Sequence, residues 1–236
     1  MFSHLFVNTG DGCVSLKTKF KWASFVLVPY FLLYFTLQAL ITTSDYSPLF
    51  FLDEWIPFNP HFIWIYHSII PMFALISFSL LKTDYNFISM LASYSIAGVV
   101  LITLYMLFPA FYPRFDLDPN NLKNLSEMLV YLTYRIDAAQ NTFPSNHVTF
   151  AWIMVFWAFK ANAVKQSFLL KSLFCLWYCG VCLSTLMLKQ HFIFDVITGT
   201  LMGAAATYII STFLYSYIKD YLDSTALGLE KHQIVD

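Results

Sequence analysis

Residues 193–218 read IFDVITGTLMGAAATYIISTFLYSYI, with one charged side chain, Asp195, near the start. A helix needs about 20 mostly apolar residues to cross a hydrocarbon core of ~30 Å, and this stretch has the length and the composition. Strands of a membrane barrel alternate in segments of about ten residues, whereas this run is continuous. Five more stretches come close to the same length: 22–41, 62–81, 87–109, 146–161 and 168–188. The expected fold class is therefore all-α and integral to a membrane. It is a six transmembrane helix bundle over residues 22–218, with an N-terminal segment 1–21 and a tail 219–236.

Composition agrees. The chain is 58% hydrophobic and 11% charged, with a mean hydropathy of +0.62, while a soluble domain keeps roughly a quarter of its residues charged. A net charge of −1 without a cationic face excludes a nucleic-acid binder. Cys175, Cys179 and Cys182 share one apolar stretch, which excludes a disulfide scaffold and suits thiols packed between helices better than metal ligands.

Lysines and arginines divide unevenly between the two sides of such a bundle. Lys17, Lys19, Lys21, Lys82, Lys160, Lys165, Lys171, Lys219 and Lys231 fall on one side, and Arg114, Lys123, Arg135 and Lys189 on the other. Basic loops stay in the cytoplasm, so both termini are expected there. No small-residue cleavage site follows the first run, which reads as a retained span.

The far side then holds an acidic loop with Asp45, Asp53 and Glu54, a long loop from about 110 to 145, and a short link at 189–192. In the long loop, residues 121–136 carry Leu122, Leu125, Leu129 and Leu132 at helical spacing. A short helix there lies on the membrane surface beside a site, or simply packs on the bundle. Asp116, Asp118, Asn120, Asn124 and Glu127 follow a calcium-loop register, but Asn121 stands where Gly is needed; no metal site is expected.

Three segments of the far side carry chemistry. Both arginines of the chain, Arg114 and Arg135, lie in the long loop, and Arg is the residue suited to gripping a phosphate bidentately; pairing with Asp116, Asp118 or Asp137 is the alternative. Before the fourth span stands Asn141-Thr142-Phe143-Pro144-Ser145-Asn146-His147. Pro144 disfavours helix before it, Ser145 is a good N-cap, and a helix start is an anion site. A capping Ser with an interfacial His would look the same. Finally, His191 and Asp195 are four apart at the start of the last span and share one helical face. An ionisable group just inside a span needs a partner, and a carboxylate on one imidazole nitrogen leaves the other nucleophilic. His61 and His67 lack such a carboxylate and read as interfacial.

The order Pro144-Ser145-Asn146-His147, then Ser184, His191 and Asp195, resembles the second and third motifs of the type 2 phosphatidic acid phosphatase superfamily. Phe108-Pro109-Ala110-Phe111-Tyr112-Pro113-Arg114 resembles the first motif as it stands in the inositol phosphorylceramide synthase-like branch. The stretch 53–60, DEWIPFNP, and Tyr66 are similar to that branch too. The resemblance covers about residues 53–217 and implies a six-span bundle that needs no metal or other cofactor. By it, His191 is the nucleophile that becomes phosphohistidine, Asp195 its orienting carboxylate and His147 the acid that protonates the leaving alcohol. Ser145, Ser184 and Arg114 match phosphate-binding positions. Two family cations are missing, since Leu107 and Thr185 occupy their places; Lys189 and Arg135 are the candidate substitutes.

The implied activity is that of a phosphoesterase acting on a membrane lipid phosphate at the non-cytoplasmic face. In a bacterium its location would be the plasma or inner membrane. Replacing water by a lipid alcohol turns the same chemistry into a phosphotransferase, and a bundle that only binds lipid is the non-catalytic alternative. The sequence leaves the oligomeric state open.

Overall fold

The computed structural model describes residues 15–41, 47, 49–222 and 224. Residues 1–14, Asp45, and the end of the tail with Lys231 lie outside the described residues. Among those described, the protein is helical without a strand. The long helices are α1 (Leu16–Leu40), α2 (Pro60–Leu80), α3 (Asp84–Leu107), α4 (Leu125–Ile136), α5 (Asn146–Ala158), α6 (Phe168–Met187) and α7 (Ile193–Leu222).

Five of these, α1, α2, α3, α6 and α7, are long and apolar enough to cross a membrane. The expected fourth span differs. It is the 13-residue α5, about 20 Å long at 1.5 Å per residue, followed by a single turn at Asn162–Lys165. Unlike those five, α5 is buried along almost its whole length. Val148, Ala151, Ile153, Met154, Trp157 and Ala158 are all at most 1% exposed, because α5 packs on α3, α6 and α7 together. A helix apolar all round belongs inside a bundle. The outer helices instead turn Phe25, Val99, Phe168, Leu176 and Leu201 outward, as helices facing lipid do.

The α5–α7 crossing sets the site. A Cβ added at Gly199 would stand 2.6 Å from the Ser145 carbonyl oxygen, and one at Gly203 2.9 Å from that of Thr149. Only glycine allows these backbones to approach so closely. Thr149 Oγ1 also donates to the Gly199 carbonyl at 3.0 Å. The starts of α5 and α7 are thereby pinned side by side, and Ser145 N–H donates to the Asp195 carbonyl at 3.0 Å.

The long loop is ordered by its own return. Phe111 bridges Gln140, and Tyr112 N–H donates to the Ala139 carbonyl. Within it, α4 begins at Leu125 with Asn124 as its cap, Oδ1 accepting from Glu127 N–H at 3.0 Å. Its orientation is unlike that of a soluble amphipathic helix. Ser126, Val130 and Thr133 face the bundle, where Ser126 Oγ meets His61 and Trp64, and Thr133 Oγ1 meets His67. Leu125, Met128, Leu132 and Ile136 form an exposed apolar stripe. His61 and His67 thus serve α4.

Candidate active site

His191 and His147 meet at the end of the bundle where α5 and α7 begin. His191 is 5% exposed, and its Nδ1 lies 2.8 Å from the Thr142 carbonyl oxygen and 3.3 Å from Asp195 Oδ2. A carbonyl only accepts, so Nδ1 carries the proton and the lone pair of this imidazole is on Nε2. The tautomer is decided by backbone and carboxylate together. Asp195 Oδ2 also accepts the Phe192 N–H at 2.9 Å, which fixes the carboxylate within the first turn of α7.

Nε2 of His191 points at Nδ1 of His147, 3.4 Å away. On the other side of the His147 ring, Nε2 is 2.7 Å from the Tyr66 hydroxyl. The consistent arrangement has His147 donating from Nδ1 and accepting from Tyr66. Tyr66 stands 3.4 Å from Asp137 Oδ2. Asp137 Oδ1 in turn accepts from Tyr34 at 2.7 Å and from Gln38 Nε2 at 2.6 Å. Asp195 stands directly behind His191, while Asp137 lies beyond Tyr66, whose single hydroxyl proton goes either to His147 or to Asp137. An attacking atom needs roughly 3–3.5 Å to the atom it attacks, and the two nitrogens already stand 3.4 Å apart. A phosphoryl group entering between them has to part the rings.

The predicted phosphate ligands are distributed unevenly around this pair. Ser145 caps α5, its Oγ accepting from Val148 N–H at 3.4 Å. Ser184 is fully buried in α6 and donates to the Val181 carbonyl at 2.7 Å. Arg114 clamps the end of α4, donating to the carbonyls of Tyr134, Asp137 and Ala138 and lying over the Tyr134 ring. It also donates to Gln190 Oε1 at 2.6 Å, next to His191. Lys189, at φ 52°, directs its ammonium to the carbonyls of Asp53 and Ile56. Burial pushes its pKa down, against the pull of the Asp53 carboxylate. Arg135 is exposed on α4 and makes no hydrogen bond or ion pair among the described residues.

Polar atoms without partners gather at this end. Arg114 Nε, Asn141 Nδ2, Thr142 Oγ1 and Gln190 Nε2 are buried donors with no hydrogen bond among the described residues. A buried group left unsatisfied costs about 1–3 kcal/mol, and these four donors stand together with two acceptors likewise unpartnered among the described residues, Asn141 Oδ1 and Asp195 Oδ1, a mixture that suits a polar ligand able to accept and to donate. Among the described residues no three His, Cys, Asp or Glu side chains converge as metal ligands. Asp118 and Glu127, from the calcium-loop register, accept from nearby backbone N–H groups in the turn before α4.

Sequence reasoning alone did not find the roles of Asp137, Gln38 and Thr142. Gln38 carried a signal, since a polar amide in an apolar span needs a partner. Asp53 was visible in the acidic loop, but its task was not: Oδ1 accepts the Ile193 N–H at 2.8 Å and Oδ2 the Phe50 N–H at 2.9 Å, capping α7 from outside.

Against known proteins, the model of the PAP2 superfamily matches residues 87–219. That is more than half of the chain, and it includes Arg114, His147, His191 and Asp195 while stopping short of Asp53 and Tyr66. No curated protein and no solved structure gives a significant match.

Proposed function

Because the chain belongs to the PAP2 superfamily, whose members are phosphatases or related phosphotransferases, we propose that it is an integral membrane phosphoesterase. Its substrate is a membrane lipid phosphate, hydrolysed through a phosphohistidine. The observation that carries this reading is the His191 imidazole, held with its proton on Nδ1 and its Nε2 lone pair facing His147.

In the proposed course, Nε2 of His191 attacks phosphorus as the bond from phosphorus to the lipid oxygen breaks. His147 gives its proton to that leaving oxygen, and Asp195 stabilises the charge on the phosphorylated ring. Water then attacks phosphorus, the P–N bond breaks, and His147 takes the proton from the water. Such transfers depend on positioning and on positive charge around the equatorial oxygens. Arg114, Ser145 and Ser184 bind the phosphate, and Lys189 and Arg135 are the candidates for the two missing family cations.

The bundle crosses the membrane six times, α5 being the short buried span, and the histidines lie on the non-cytoplasmic side. There α4 rests in the interface on its stripe of Leu125, Met128, Leu132 and Ile136, beside a lateral path for lipid. One observation favours a second reading, headgroup transfer to a lipid alcohol. Asp53 and Tyr66, the residues similar to the inositol phosphorylceramide synthase-like branch, bond directly to α7 and His147.

The test is release of inorganic phosphate by purified protein from a panel of lipid phosphates, with and without an acceptor lipid alcohol. Release that vanishes in His191→Ala is expected. Release that persists in the variant refutes the assignment, and transfer to the acceptor without release establishes the second reading.

A further inference from the structure

A cavity of about 890 Å³ opens at the end of the bundle away from the histidines. Its wall comes from the α2–α3 link, the α5–α6 link, the first turn of α6 and Tyr215 of α7. It carries Lys82, Lys160, Lys165 and Lys171, and no Asp or Glu. Basic loops at a membrane surface require only that lysines be present. Here lysines from three separate segments converge on one hollow.

Neutral donors complete it. Thr83 Oγ1 is buried without a hydrogen-bond partner among the described residues. The Tyr215 hydroxyl donates to Asn86 Oδ1 at 3.0 Å, holding that amide in the wall. Four cations, hydroxyls and an amide without a carboxylate in the wall select a polyanion.

Its depth tells which kind. The cavity lies at the ends of α2, α3 and α6, three helices able to cross a membrane. Those helices turn Leu75, Phe168 and Leu169 outward, and α7 turns Phe213 outward. A headgroup lies at the level of the lysines while its acyl chains run along such apolar surfaces, and basic pockets between spans recognise acidic headgroups. We propose that this cavity binds the phosphate-bearing headgroup of an anionic phospholipid in the leaflet opposite the histidines. This lipid site is separate from the site that turns over substrate.

Native mass spectrometry of the detergent-purified full chain with dioleoyl phosphatidylglycerol or dioleoyl phosphatidylcholine tests it. The wild type is expected to retain phosphatidylglycerol over phosphatidylcholine. K82Q/K165Q/K171Q should weaken that retention at least about tenfold, and K82R/K165R/K171R should keep it, because charge near the headgroup drives the binding. Millimolar inorganic phosphate should leave the bound lipid in place. Equal retention of both lipids, unchanged retention in the glutamine variant, or displacement by inorganic phosphate would each overturn the proposal.

Discussion

The Tyr66 hydroxyl stands 2.7 Å from Nε2 of His147, so the ring facing His191 is held by a phenol that itself reaches toward Asp137. When His147 carries a second proton, Tyr66 accepts from it and donates onward to the carboxylate. Tyr66→Phe is expected to lower kcat about tenfold or more with a smaller effect on KM, and to shift the acid limb of the pH–rate profile. Asp137→Asn should move both in the same direction by less. A Tyr66→Phe enzyme with wild-type kcat and pH profile would remove Tyr66 from the chemistry.

His147 as proton donor predicts a dependence on the leaving group. An aryl phosphate, whose phenolate leaves without help, should lose little activity in His147→Ala, whereas an alkyl phosphate should lose about a hundredfold or more. His191→Ala should abolish turnover of both. Equal losses in His147→Ala for the two substrates would show that the ring only binds.

Gly199 holds α5 and α7 at a distance that a methyl group cannot share, with the Ser145 carbonyl oxygen 2.6 Å from the added Cβ. Gly199→Ala should cost about 1–3 kcal/mol and pull His147 and His191 out of register. A lower midpoint on thermal denaturation in detergent, together with reduced turnover, is the expected result. Gly180→Ala meets only Ile65 side-chain carbons, 3.3 Å and 3.7 Å away, and should leave both nearly unchanged.

Asp53 caps α7 across more than a hundred residues of sequence. Asp53→Ala leaves the Ile193 and Phe50 N–H groups without their acceptor and should cost about 1–2 kcal/mol, the range of a lost helix cap. Asp53→Asn keeps one acceptor oxygen and should cost less. The comparison is made by chemical denaturation of the two variants.

The proposed placement of α4 in the membrane interface puts Met128, Leu132 and Ile136 against lipid, where a soluble protein would turn them into its core. Leu132→Gln with Ile136→Gln should then raise KM for a substrate in vesicles several-fold, since buried apolar area sets interfacial affinity. The kinetics on a soluble short-chain phosphate should stay the same. An equal change for both substrates would assign the stripe another role.

Much of this molecule was legible because the relevant physics is local. Five of the long apolar runs became helices of membrane-crossing length, since transfer out of water depends on composition over about twenty residues. His191 and Asp195 were paired by their four-residue spacing, although His191 stands before the extended Phe192 cap of α7 and not on a shared helical face, and Ser145 was readable as a cap from Pro144 and the apolar run after it. The Gly199-x-x-x-Gly203 spacing was also in the sequence, but it gains meaning only once α5 is known to lie across it.

What only the tertiary structure decided is which distant polar groups found one another. Tyr34, Gln38, Tyr66 and Asp137 come from α1, α2 and the loop after α4, and no spacing rule connects them. Arg114 was readable as a phosphate ligand and is found gripping the carbonyls at the end of α4, because buried carbonyls compete for the same donors. The orientation of α4 was likewise undetermined, since in a membrane an apolar stripe gains as much from lipid as from a protein core. The sequence by itself determined where the long helices run and which histidine has a carboxylate four residues further on. The close α5–α7 crossing decided that two histidines 44 residues apart face each other, because that distance depends on packing between backbones and not on any local preference.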